Sequence, residues 1–254
     1  MKTFKSIIFF SLLMVGVACA VAATAMAPEA GAIVMVAGIT ILPAMIAGPN
    51  GQEVPPFTRA QKKMYDFLRM KGNAITLEAL QSGALKWDNI SYYIRSIITG
   101  LSGRKTILNA STSQVVGVCN LDKGQLPQYY NFAYDRVEVA EAINNTSASL
   151  AVTALTSFSS VQSSMDAGLR NGELIVMSNR QVQVETPITD FTSKTAVSGG
   201  GAKEYDGGAL DDPQVWEELL QIQVDLNFAQ TIASEANTTY AVDVTFRGVQ
   251  ARLR

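Results

Sequence analysis

The chain has 254 residues, 48% of them apolar and 17% charged, with a formal net charge of −2. So small a net charge draws in neither nucleic acid nor an acidic partner, and no specific nucleic-acid binding is expected. The chain has no histidine, which removes the commonest general base and metal ligand, and its two cysteines, Cys19 in an apolar run and Cys119, are expected to stay unpaired.

The charge is unevenly spread. Between Ser6 and Gln52 the single charged side chain is Glu29, and two apolar runs fill that stretch: "IIFFSLLMVGVACAVAATAMA" (Ile7–Ala27) and "GAIVMVAGITILPAMIAG" (Gly31–Gly48). About 20 helical residues cross a hydrocarbon core of about 30 Å, so the first run is long enough to span; the second is borderline and carries Pro43. Two main readings stand. In one, Lys2 and Lys5 open a signal peptide cleaved after Ala25-Met26-Ala27. In the other, residues 7–48 stay in the bilayer as a hairpin turning at "APEAG". The flanking Lys2, Lys5, Arg59, Lys62, Lys63, Arg69 and Lys71 would then share one membrane face. A flexible arm left after cleavage and a buried core segment complete the alternatives. Residues 1–48 are thus read as a membrane-anchor or signal region, and "GPNGQEVPPF" supplies a linker over 49–57.

From residue 58 to 254 the pattern is that of an assembly domain with a helix in front. "TRAQKKMYDFLRMKG" predicts a helix capped by Thr58 and stopped by Gly72, with Met64, Phe67 and Leu68 on its apolar face. Its opposite face is basic, suited to solvent, a membrane surface or an acidic partner. Short alternating runs follow, each a predicted strand: "SYYIRSII" (Ser91–Ile98), "SQVVGVC" (Ser113–Cys119) and "YNFAYDRVEVA" (Tyr130–Ala140). In the last of these Tyr130, Phe132 and Tyr134 share one parity, while Val137 and Val139 have the other. Such a phase slip needs an extra residue near Asp135–Arg136, as a β-bulge supplies. "SSVQSSMDAGLRNG" predicts a short helix lined by Val161, Met165 and Leu169. "GELIVM" and "QVQVETP", separated by Ser178-Asn179-Arg180, predict a hairpin. After a Ser/Gly-rich loop come "LQIQVDLNF" and the closing "TYAVDVTFRGVQARLR". Seven to nine strands without a βαβ rhythm predict a mainly β fold, a jelly-roll-like β-sandwich. The loops and the final strand are expected to meet neighbouring subunits.

No constellation of residues points to chemistry. "SGGGAKEYDGG" fails as a phosphate loop, since Lys203 lies between Ala202 and Glu204. Asp211, Asp212, Glu217 and Glu218 lack calcium-loop spacing, and Asp211-Asp212-Pro213 reads as a helix start or turn. Without histidine no triad can activate the many serines. Catalytic, cofactor and metal sites are therefore all expected to be absent, and the chain is read as a non-enzyme. The closing Arg247, Arg252 and Arg254 could touch nucleic acid or acidic lipid, but three arginines on a −2 chain make a weak patch, and they are expected to pair with carboxylates of this chain or of an adjacent subunit. Five Asn-x-Ser/Thr triplets, at Asn89, Asn109, Asn144, Asn145 and Asn237, are what an Asn/Ser/Thr-rich chain contains by chance.

Four segments resemble, in order and spacing, the small jelly-roll virion structural proteins of tailless bacteriophages, membrane-containing ones included. They are "YYIRSIITGLSG", "VCNLDKGQLPQYYNFAYDRVEV", "LRNGELIVMSNRQVQVETPITDF" and "YAVDVTFRGVQARLR". The resemblance covers roughly Tyr92 to Arg254. It implies a capsid or capsid-associated subunit in the virion, assembling with copies of itself and other virion subunits, with no catalytic residue to carry over. The apolar region over 7–48 departs from a standard shell subunit and would suit a virion with an internal lipid layer. The competing reading is an exported cell-envelope β-sandwich, an adhesin or fibre subunit with a cleaved signal peptide.

Overall fold

A computed structural model describes residues 58–71, 85–193 and 208–253, all within the compact unit Phe57–Arg254. The expected membrane-anchor or signal region and linker, the Gly72 helix stop, Arg254 and most of the Ser/Gly-rich loop lie outside these residues.

Eight strands run in chain order: β1 (Leu85–Ile97), β2 (Gly103–Leu108), β3 (Tyr130–Asn144), β4 (Glu173–Ser178), β5 (Gln181–Pro187), β6 (Ala209–Trp216), β7 (Ile222–Phe228) and β8 (Thr239–Leu253). A helix, α1 (Arg59–Met70), precedes them, and a four-residue turn of helix, α2 (Ala167–Arg170), precedes β4. The strands form two antiparallel sheets with orders β1-β8-β3-β6 and β2-β7-β4-β5. Every connection except the β4–β5 hairpin therefore crosses from one sheet to the other. The fold is mainly β, as expected, and sandwich-like.

Period-two placement explains the core. Tyr92 and Ile94 of β1, Tyr240, Val242, Val244 and Phe246 of β8, and Ile222, Val224, Leu226 and Phe228 of β7 alternate inward and share one buried cluster with Leu174, Val176 and Val184. Trp216 sits at its centre, with ring centroids 4.7 Å from Phe246, 5.0 Å from Tyr134 and 5.5 Å from Phe132. Such tilted and edge-on contacts each add about 0.5–1.5 kcal/mol to the area buried.

The phase slip in β3 is where the sequence put it. The ladder between β3 and β8 shifts between Tyr134 and Arg136, so Phe132 and Tyr134 before it and Val137 and Val139 after it all face the core. Gly248 lies opposite the shift, paired with Tyr134. A Cβ there would stand 2.0 Å from the Ala133 carbonyl oxygen, so only glycine lets the two backbones close.

β8 lies between β1 and β3, so the final strand is central in its sheet. Three expectations change. Ser113–Cys119 forms no sheet strand. Gly117, at φ +82°, turns it into a tight loop in which Val115 and Cys119 exchange main-chain bonds. The Val161/Met165/Leu169 stripe is not one helix: a 3₁₀ turn at Gln162–Ser164 ends at extended Met165, and Asp166 caps α2. Asp211-Asp212-Pro213 lies inside β6, where Leu210–Pro213 arch out between the rungs Arg136–Ala209 and Tyr134–Gln214. Proline is tolerated there because an arch on an edge strand needs no ladder donor.

Gly248→Ala should destabilise the protein by about 3 kcal/mol, since backbone rather than a movable side chain blocks the added methyl. Chemical denaturation midpoints measure this, and an unchanged midpoint would remove the close approach as a constraint.

Candidate functional site

The outer face of the β1-β8-β3-β6 sheet carries α1. The helix begins with a capping box: the Thr58 side chain accepts from the Gln61 amide (3.2 Å) and the Gln61 side chain from the Thr58 amide (2.9 Å). Ala60, Met64 and Leu68 are buried against Ala133, Val249 and Ala251, with Phe67, Trp87 and Val215 at the margin. Small alanines on the sheet give the helix room to approach.

The basic face of α1 and the acidic residues near β6 find each other. Lys63 Nζ lies 2.8 Å from Asp212 Oδ2, and Lys71 pairs with Glu217. The Arg59 guanidinium donates to the main-chain carbonyls of Leu210 (2.7 Å) and Asp211 in the β6 arch. Glu218 accepts from the Tyr129 amide. The helix's acidic partner is thus its own chain: Asp212 and Glu217 pair with it, while Glu218 turns to the Tyr129 amide. Of the closing arginines, Arg247 meets Glu138 at 2.8 Å and Arg252 meets Asp88 at 3.0 Å. Among the described residues no group of three or more His, Cys, Asp or Glu side chains is placed to share a metal ion. Cys119 is buried and free, and burial pushes its thiol pKa up. Burial likewise pushes the Tyr92 hydroxyl up to about 12, against the opposing effect of a 2.6 Å bond from Gln250 Nε2.

The sheet edges differ in what covers them. β6 is blunted by its arch, by Arg59 and by Gln183, whose Nε2 donates to the Val215 carbonyl (2.8 Å) while its Oε1 accepts from Tyr134 (3.1 Å). The β1 edge is covered from Ser91 to Arg95. There Val118 O accepts from Arg95 N (2.7 Å), and the Asn120 side chain bonds Tyr93 N (2.8 Å) and Ser91 O (2.9 Å). Among the described residues the outer edge of β1 has no second strand from Lys86 to Ile90, and β2 and β5 end their sheet.

The β2–β3, β4–β5 and β6–β7 connections meet at one end of the sandwich. Asn179 N donates to Gln221 O, Gln221 Nε2 to Lys123 O, and Leu219 N to Leu126 O. That end presents two bulky apolar residues in left-handed backbone: Tyr129 (φ +69°) and Leu219 (φ +61°), each 55% exposed. A side chain in that region costs about 1–2 kcal/mol, which the bonds to Glu218 and Leu126 offset. Asn179 and Arg180, both at positive φ, close the predicted β4–β5 hairpin as a type I′ turn does. Val116, 89% exposed, projects from the loop beside β1.

No protein-family model matches the chain, and no curated protein matches it. Among the described residues no helix is long and apolar enough to cross a membrane.

Sequence reasoning missed one residue. Glu141 has the parity of Val137 and Val139 once the β3 slip is counted, so its side chain turns into the sandwich and is 4% exposed. The alternating run Tyr130–Ala140 ends one residue before it, and a carboxylate at that place gives no apolar signal.

Met64→Ala should cost about 2–5 kcal/mol by leaving a hole under α1, whereas Lys63→Ala should cost under about 1 kcal/mol because its ion pair is exposed. Thermal and denaturant midpoints of the two variants check the order; a larger loss for Lys63→Ala would make charge, not packing, the anchor of the helix.

Proposed function

We propose that this chain is a structural virion protein, a capsid or capsid-associated subunit that self-assembles through a jelly-roll domain. The strand order carries the reading. Orders β1-β8-β3-β6 and β2-β7-β4-β5, with all connections but one crossing between sheets, are what two Greek keys rolled into an eight-stranded jelly roll produce. That fold serves capsids and also lectins and cupins, so the role rests further on the surface.

The surface suits lateral association. The open stretch of the β1 edge and the short β2 and β5 edges offer main-chain groups to a neighbour, and Tyr129 and Leu219 offer apolar area at one end. Copies of the chain and other virion subunits are the partners. The bilayer is a further partner, reached through residues 7–48, which would make this a membrane-linked subunit. The β6 edge, stitched to α1 and to Gln183, is turned away from such pairing.

A second reading keeps support from Ala25-Met26-Ala27: export to the cell envelope as an adhesin or fibre subunit, with the signal peptide removed. Electron microscopy of the purified protein, with the mass of its N-terminal peptide, separates the two. Closed shells or their capsomers, with residues 1–27 retained, are expected. Filaments or monomers whose chain starts at Pro28 would overturn the virion reading.

A further inference from the structure

The end of the sandwich away from Tyr129 and Leu219 holds a buried carboxylate, Glu141. Glu141 Oε2 accepts from the Asp166 amide at 2.6 Å, and Oε1 is buried with no hydrogen-bond partner among the described residues. The Glu141 main chain exchanges bonds with Ser159 (2.9 and 2.8 Å), so one residue ties the segment Ser159–Gly168 to β3 by both backbone and side chain. The groups facing it are acidic or neutral. Asp166 comes from the cap of α2, where its Oδ1 accepts from Gly168 N (2.7 Å) and its Oδ2 from Ala233 N (3.4 Å). Tyr240 comes from β8, and both carboxylates, with Glu235 of the β7–β8 connection, raise its hydroxyl pKa after burial has done so.

An ionised Glu141 would therefore place a second negative charge beside Asp166, in a site where one oxygen has nothing to bond. A protonated one removes the repulsion and most of the desolvation cost while keeping the Asp166 contact. We propose that Glu141 is a proton-operated latch: protonated, it holds Ser159–Gly168 against the sandwich, and ionised, it lets that segment open. Burial, followed by the Asp166 charge, pushes the Glu141 carboxyl up to about 7 against the contrary pull of the Asp166 amide. In the open state the side chain regains water and ionises near the ordinary value of about 4.3. The closed state is thus favoured fully below that value, loses its advantage as pH climbs, and has lost it once pH passes about 7.

The latch stands apart from the virion reading and can fail without it. Hydrogen exchange of the full-length protein, corrected for intrinsic rates, tests it. Amides of Ser159–Gly168 should open at least about tenfold more at about pH 8.5 than at about pH 5.5, while β7 and β8 stay protected. Glu141→Gln, neutral at every pH, should abolish that difference. Asp166→Asn, which keeps a capping side chain and removes the neighbouring charge, should move the transition to lower pH. If Glu141→Gln does not fold, a titration of the wild-type protein carrying ¹³C-carboxyl glutamate decides instead: one resonance should titrate near neutrality. An equal pH response in wild type and Glu141→Gln, a carboxyl set that titrates wholly below about pH 5, or closure at high pH restored by calcium chloride and reversed by chelator would each overturn the latch.

Discussion

One extra residue in β3 sets the geometry of this domain. A strand's side chains change face at every residue, so an uninterrupted β3 would bury either Phe132 and Tyr134 or Val137 and Val139. The shift between Tyr134 and Arg136 buries all four. It also fixes what lies opposite: Gly248 on β8 must lack a side chain for the displaced Ala133 carbonyl to fit. On the outer face the same register turns Ala133 toward α1, and a small side chain there is what the helix packs on. Past the shift it turns Glu141 inward. Core, helix seat and buried acid follow from one insertion.

The sheet edges are finished differently, and charge explains part of it. β6 carries Pro213 and an arch, and the basic face of α1 meets the acidic residues along it. Exposed pairs of this kind contribute little stability, so the burial of Met64 and Leu68 holds the helix while the charges set its orientation. Among the described residues no further strand lies beside β1 from Lys86 to Ile90 or beyond β2 and β5.

Much of the architecture could be read before any coordinates. Alternation in Ile222–Phe228 and Tyr240–Phe246 marked their inner faces, Asn179-Arg180 marked a hairpin, and the parity change marked the bulge. The readings that failed were those in which local pattern had competitors. Val115 and Val116 look like strand residues, but Gly117, at φ +82°, folds the segment into a tight loop beside β1. Val161, Met165 and Leu169 have helical spacing, but Asp166 caps a new turn between them. Asp211-Asp212-Pro213 looks like a helix start, yet proline and carboxylates also suit an edge arch facing a basic helix.

By itself the sequence determined which side chains could share a face, because backbone pleat makes that a matter of parity, and where the parity had to break. It also determined that Thr58 could cap a helix, since the groups involved are three residues apart. Only the tertiary structure decided strand order, the central place of β8, the union of α1 with β6, and the meeting of Glu141 with Asp166. Those depend on contacts between residues far apart in the chain, and a local pattern carries the propensity to pair but not the identity of the partner.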